Sequence, residues 1–347
     1  MKLQGMRAGT ATDTTAAGGA GAGATMRAIV QDGYGPAEVL HPALVPRPTP
    51  AVNEVLLRVQ AAGLDRGTWH LMSGRPYLMR LGLGLRRPRN PIAGRDIAGT
   101  VVAVGAGVTG FLPGDEVFGI GRGSFAEYAV ARADKLARKP KNANFAQAAV
   151  VPVSAMTALQ ALCDAGRIAA GEKVLIIGAS GGVGSYAVQL AKGFGAEVTA
   201  VCSTGKLDLV RSLGADHAID YTATDFAEGP QRFDLILDIA GNPSLSRLRR
   251  ALTAHGTAVI VGGEGTSNWS TGINRQLRAL VLSPFVRQRL TMLMAKQRAS
   301  DLEVLAGLIE AGTLTPCVGR SFPLEDAAEA MRYLEAGKVR GKVAITL

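Results

Sequence analysis

The chain has 347 residues, 47% of them hydrophobic and 19% charged, which is long enough for two cores and too apolar for general disorder. Its three cysteines, Cys163, Cys202 and Cys317, lie far apart in sequence, which excludes a disulfide framework or a thiolate metal cluster and fits a reducing cytoplasm. The net charge of +10 favours encounters with nucleic acid, an anionic membrane surface or a phosphorylated small ligand without choosing among them, and no apolar run is long enough for a transmembrane helix.

Residues 1–25 are dominated by Gly, Ala and Thr and read as a disordered extension, or as the product of a start placed upstream of Met26. From 26 to 151, short β-rich runs alternate with glycines, at Met26 to Gln31, Glu54 to Leu64, Ile97 to Val108, Glu116 to Ile120 and Phe125 to Arg132. That spacing predicts a compact antiparallel barrel or sandwich. From 152 to 298 the rhythm becomes strand and helix in alternation, with strands at Lys173 to Gly178, Glu197 to Cys202, His217 to Asp220, Phe233 to Ile239, Thr257 to Gly262 and Leu290 to Ala295. Six such strands predict an α/β, doubly wound parallel sheet of the Rossmann type.

In the remaining stretch, 299–347, Ser300 to Glu303 has capping-box spacing before a helix that Gly312 stops. An amphipathic segment from Leu324 to Ala336 follows, and then a terminal strand, Lys342 to Leu347. The six-stranded sheet does not need that strand, so the tail is expected to return to the N-terminal domain.

The most informative stretch runs from Val174 through Gly178, Ala179, Ser180, Gly181, Gly182 and Val183 to Gly184. A buried-type strand there enters an amphipathic helix through a glycine turn, with Ala179 in place of the first glycine of the usual spacing. Such glycines let backbone amides approach a pyrophosphate, and the helix N-terminus supplies partial positive charge. The second strand ends in Ser203, Thr204 and Lys206, where an NAD site would offer a carboxylate. Hydroxyls and an ammonium suit a 2′-phosphate instead, which predicts NADPH; the plain alternative is that Lys206 only solvates the next helix.

Several ordered segments carry a resemblance over 26–347: Met26 to Val30, Ala61 to Asp65, Pro91 to Val101, Gly114-Asp115 and Gly123 to Tyr128, together with the loop at Gly178 to Gly184. The chain resembles the medium-chain dehydrogenase/reductase superfamily in its quinone oxidoreductase (zeta-crystallin-like) branch. The resemblance implies a GroES-like β-rich catalytic domain over 26–151, joined by 299–347, beside a Rossmann NADPH-binding domain over 152–298. Zinc-dependent members carry a cysteine in the second of those segments and Gly-His-Glu in the third. Here Leu64 stands near the first place and Gly94-Arg95-Asp96 fills the other, and no four-cysteine structural zinc loop is present, so no metal is expected. Without a Lewis acid, hydride delivery to a quinone or α,β-unsaturated carbonyl is favoured over alcohol oxidation, because the electron-poor acceptor needs less help.

By position, the resemblance places Asp65, Trp69 and His70 beside the nicotinamide, where the branch commonly has asparagine and tyrosine. His70 has a suitable pKa for proton donation, and it equally reads as a packed polar contact. Thr157 resembles a threonine at the nicotinamide end, or is a hydroxyl bonding its own helix. Gly262 and Gly263 would let backbone pass near the nicotinamide. Tyr221 resembles an adenosine-side tyrosine, and Arg340 resembles an arginine that reaches back to the 2′-phosphate.

The alternatives are an NADP-dependent alcohol or aldehyde oxidoreductase and, from another class, a basic RNA-binding protein with a cofactor fold. Dispersed arginines and only 5% aromatics disfavour the RNA reading. Between Ile273 and Ala295, apolar residues alternate with Arg275, Arg278, Arg287 and Arg289, which suits a channel wall, a homodimer contact or weak peripheral membrane contact.

Overall fold

The computed structural model describes residues 24–262 and 273–347. Residues 1–23 and Gly263, on which two of the expectations above fall, lie outside these.

Strand β1 (Thr25–Val30) pairs antiparallel with β2 (His41–Pro46), a strand the sequence hides because Pro42 and Pro46 argue against one. Both prolines are accommodated because β2 has a partner on one side only. The long β3 (Glu54–Leu64) then leads into α1 (Arg66–Ser73) and α2 (Arg80–Leu83) before β4 (Asp96–Val104) returns against it. Strand β4 stops short of the expected Val108, where the chain crosses tightly over its neighbour: a Cβ on Gly105 would sit 1.9 Å from the Ala51 carbonyl oxygen. Strands β5 (Glu116–Ile120), β6 (Tyr128–Arg132) and the three-residue β7 (Leu136–Arg138) complete this part.

Two short helices, α3 (Phe145–Ala149) and α4 (Pro152–Gln160), lead across to the second sheet. Asn144 and Gln147 form a reciprocal capping box on α3, and Pro152 opens α4, where its missing N–H costs nothing. The sheet is built from β8 (Lys173–Ile177), β9 (Glu197–Cys202), β10 (His217–Asp220), β11 (Phe233–Asp238), β12 (Leu252–Ile260) and β13 (Arg289–Met292). All are parallel, in the order β10-β9-β8-β11-β12-β13. Val174, Leu175 and Ile176 are fully buried, as a strand covered on both faces requires. Helices α5 (Gly182–Gly193), α6 (Leu207–Ser212), α7 (Leu245–Ala251) and α8 (Ile273–Leu282) complete this part. Helix α5 ends as expected, with Gly195 at φ +82. The chain reverses its winding between β8 and β11, the crevice where such sheets take ligands.

Beyond them, α9 (Ala299–Glu310) departs from the expected capping box. Ser300 lies inside the helix, Arg298 caps it without a side-chain bond, and Asp301 instead accepts a hydrogen bond from Gln160 Nε2 at 2.6 Å. The tertiary partner outweighs the local cap. Strand β14 (Val318–Pro323), α10 (Ala327–Glu335) and β15 (Lys342–Thr346) then bring the tail back, with β15 antiparallel to β3. The resulting sheet runs β14-β15-β3-β4-β5-β7, with β6 also on β3, giving a GroES-like β-rich body beside the Rossmann-like one. Among the described residues no helix is long and apolar enough to cross a membrane.

Candidate active site

The turn from β8 into α5 is closed by its own backbone. The amides of Gly178 and Ala179 both donate to Val201 O at 3.1 Å, and Gly181 N donates to Gly178 O at 3.2 Å. Gly178 has φ +85, open to glycine at little cost. A Cβ on Gly184 would lie 2.2 Å from Gly178 O, so only a bare backbone lets the helix come this close to the strand. Ala179 is fully buried, which explains how it substitutes for a glycine: its methyl joins the core instead of facing a ligand. Gly181 is the N-cap and carries no side-chain cap, leaving the first amides of α5 as a seat for an anion. Ser180 O accepts from Gly341 N at 2.9 Å, tying the loop to the C-terminal return, and Val183 packs on the central core.

At the end of β9, two cations meet that are far apart in sequence. Arg340 donates to Gly205 O at 2.7 Å and to Asp208 Oδ2 at 2.6 Å, while Lys206 Nζ donates to Gly337 O at 2.9 Å. Lys206 is therefore more than a solvated helix start. Half-burial, reinforced by the Arg340 charge, lowers its pKa. The Ser203 carbonyl accepts from Lys206 N, and the Thr204 hydroxyl donates to Asp220. That carboxylate opposes an anion here, and the bonds from Thr204 and Thr222 that lower its pKa favour its charged form. Tyr221 stands beside this group, largely exposed, with its amide on Cys202 O.

The three residues placed beside the nicotinamide have structural partners. Asp65 is the N-cap of α1, its Oδ1 accepting from Thr68 N at 2.6 Å, and Trp69 Nε1 donates to Glu335 Oε1 at 2.6 Å. The His70 ring lies edge-on to Trp69, with Nδ1 2.7 Å from Arg75 O, so Nδ1 carries the proton. This is the packed arrangement of the plainer reading. Thr157 likewise bonds its own helix, donating to Val153 O at 2.6 Å.

Sequence reasoning missed a buried group joining these parts. Asp96 is fully buried, its Oδ1 accepting from Val153 N at 3.1 Å and its Oδ2 lying 3.7 Å from the equally buried Lys342 ammonium. Lys342 Nζ donates to Ser154 Oγ at 2.9 Å, and a Cβ on Gly182 would sit 2.9 Å from Lys342 Cδ, so the lysine stem lies directly against the first turn of α5. Burial, then the nearby Asp65 charge, pushes Asp96 up to about 7. Asp65 Oδ2 and Asp96 Oδ2 are both buried without a hydrogen-bond partner.

A second missed pair joins the end of β11 to α8. Buried Asp238 pairs with Arg275, which also donates to Pro243 O at 2.9 Å and Gly262 O at 3.2 Å. Gly262 has no room for a side chain, since a Cβ would meet Ile239 O at 2.4 Å. Arg275 thus faces inward, as does Arg289, which donates to Ala165 O at 2.7 Å, so two of the four arginines of this stretch are held by the fold. Neither missed pair has a local signature: an Asp, a Lys and an Arg on separate elements reveal a contact only once folded.

A model of the alcohol dehydrogenase GroES-like domain matches residues 51–141, and one described as a zinc-binding dehydrogenase matches 213–345. The chain is 33% identical to a chloroplast envelope quinone oxidoreductase homolog of Arabidopsis thaliana, covering 93% of this chain and 99% of the relative. It is 34% identical to a 2-methylene-furan-3-one reductase of Solanum lycopersicum, covering 92% and 79%. Among solved structures, a mycobacterial protein complexed with NADPH superimposes with a TM-score of 0.80 at 26% identity, covering 93% of this chain and 100% of that one.

Proposed function

The chain belongs to the medium-chain dehydrogenase/reductase superfamily, in its quinone oxidoreductase-like branch, and from that premise we propose that it reduces a quinone or an α,β-unsaturated carbonyl with NADPH and without zinc. The observation that carries this is the turn at Gly178–Gly184, whose backbone leaves no space for a Cβ at Gly184 and whose amides open α5. A dinucleotide diphosphate suits that cradle. Lys206 and Arg340, with Ser203 and Thr204, are the groups proposed to receive the 2′-phosphate; Tyr221 flanks the adenosine, and Thr157 and the backbone of Gly262 flank the nicotinamide.

Bound NADPH supplies a hydride from its dihydronicotinamide ring. The chain's own task is to orient the acceptor, exclude water and hold a proton for the reduced product. Asp65 caps α1, and Trp69 and His70 on that helix are the side chains proposed to face the acceptor. With Nδ1 committed to Arg75 O, His70 delivers a proton only from Nε2 of its charged form.

The donor chemistry does not suit zinc. Among the described residues no group of three or more His, Cys, Asp or Glu side chains could hold a metal, and the Lys342 ammonium faces Asp96. That repulsion, with Leu64 near the place of the thiolate, supports metal-free reduction over alcohol oxidation. The exposed apolar side chains of α8, Leu277, Leu280 and Val281, support a homodimer contact, and the three free cysteines support a reducing compartment, with the cytoplasm proposed.

The test is NADPH consumption by purified protein across quinones, enones and aldehydes. Turnover with quinones or enones is expected. Turnover confined to aldehydes would replace this reading with the alcohol/aldehyde one, and RNA retention without any NADPH affinity would replace it with the nucleic-acid one.

A further inference from the structure

The arginines are less dispersed than the sequence reading above has them, and most of the net charge of +10 falls in one segment. Residues 66–95 contain seven arginines and no acidic residue, so they supply +7 of the total. Within that segment the connection from α1 through α2 to β4 projects four apolar side chains, Leu78, Met79, Leu81 and Leu85, the last two 67% and 68% exposed. Arg75, Arg86, Arg87 and Arg89 lie in the same connection and are also exposed.

The projection is built, not loose. Arg80 lies over the rings of Tyr34 and Tyr77 at 4.5 Å and donates to Gly74 O at 3.0 Å. Tyr34 OH donates to Gly84 O at 2.7 Å, and Arg89 N to Leu83 O at 2.8 Å. The apolar chains are thus held in solvent by a fixed backbone, an arrangement that disfavours the isolated molecule and calls for a partner.

We propose that the projection over residues 75–89 docks on an anionic lipid bilayer, with Leu78, Met79, Leu81 and Leu85 entering the interface and Arg75, Arg86, Arg87 and Arg89 meeting lipid phosphates. Charge complementarity selects this occupant. A second copy applied through the same face would set arginines against arginines. Nucleic acid would satisfy the guanidinium groups but not the four aliphatic chains, and Tyr77 is already covered by Arg80. A bilayer surface satisfies both sets, because apolar burial and attraction to anionic headgroups act together there. Docking does not depend on the proposed reaction, although it would bring the protein to lipophilic acceptors.

The experiment is flotation of the full chain with vesicles of phosphatidylcholine alone or containing about 30% phosphatidylserine, the anionic lipid that gives a cytoplasmic leaflet its surface potential. Binding to the anionic vesicles at low salt is expected, with release at about 1 M salt, where the Debye length falls to about 3 Å. Arg86→Gln with Arg87→Gln should weaken binding about 10–30-fold, given about 1 kcal/mol per basic residue near the surface. Adding Leu81→Ser and Leu85→Ser to these, to give a four-residue variant, should weaken it further, while melting temperature and NADPH affinity stay unchanged and show the variants folded. Absence of binding at low salt, equal binding to neutral vesicles, or equal binding by the four-residue variant would each overturn the proposal. So would a change of oligomeric state in that variant, which would give the face to a second copy.

Discussion

Replacing Lys206 with Met keeps the aliphatic stem and removes the charge proposed to meet the 2′-phosphate. Two unit charges 4 Å apart interact by about 1 kcal/mol in water and about 4 kcal/mol at an effective dielectric of 20. Lys206 is half-buried, so an intermediate value of roughly 2–3 kcal/mol applies to its attraction for the phosphate. Its ammonium already bonds Gly337 O at 2.9 Å, and exchanging that bond for one to phosphate offsets about 1 kcal/mol. The remainder, about 1–2 kcal/mol, corresponds to a 5–30-fold rise in the dissociation constant for NADPH. The NADH constant should move less than about twofold, because NADH lacks the phosphate. Fluorescence titration with both cofactors measures this, and Lys206→Glu should reverse the preference. Equal losses for NADPH and NADH, or none for either, would refute the phosphate role.

Arg340→Ala should act in the same direction, weakening NADPH far more than NADH in the same titration. Gly184→Val should abolish cofactor binding and lower stability by about 1–3 kcal/mol, because its Cβ would lie 2.2 Å from Gly178 O; calorimetry and titration read the two effects. Asp96 is lifted to about 7 by burial and then by Asp65, so the folded chain holds this proton more tightly than the unfolded chain. Its contribution to stability is present near pH 4 and is lost as the pH rises to about 7, and Asp96→Asn should flatten the fall in melting temperature across that window; an unchanged slope would contradict it. His70→Ala should lower turnover by about 100-fold with NADPH affinity kept, and unchanged steady-state turnover would remove His70 from the reaction.

The Rossmann-like sheet was legible because its signals are local. Apolar runs such as Val174 to Ile177 mark buried strands, and Gly195 at φ +82 ends α5 where the pattern places a stop. The edge strand β2 was not legible, because two prolines mask a segment that needs a partner on one side only. The capping reading of Ser300 failed for the converse reason, since Asp301 is drawn to Gln160 from another helix. In the candidate site, the glycine turn could be read because backbone geometry dictates residue type there. Lys206 and Arg340 could be singled out separately, yet only the folded chain brings them to neighbouring carbonyls, Gly337 and Gly205. Lys342, Asp96 and Ser154 could not be read at all. A lysine opening a terminal strand resembles any surface lysine until β15 settles against β3 and buries it.

The most direct measurement is the rate of NADPH oxidation with a quinone after exhaustive dialysis against a strong chelator, with metal content determined on the same sample. Undiminished turnover in zinc-free protein is expected. Activity that vanishes on chelation and returns with added zinc, or an inability to bind NADPH at low salt, would contradict it.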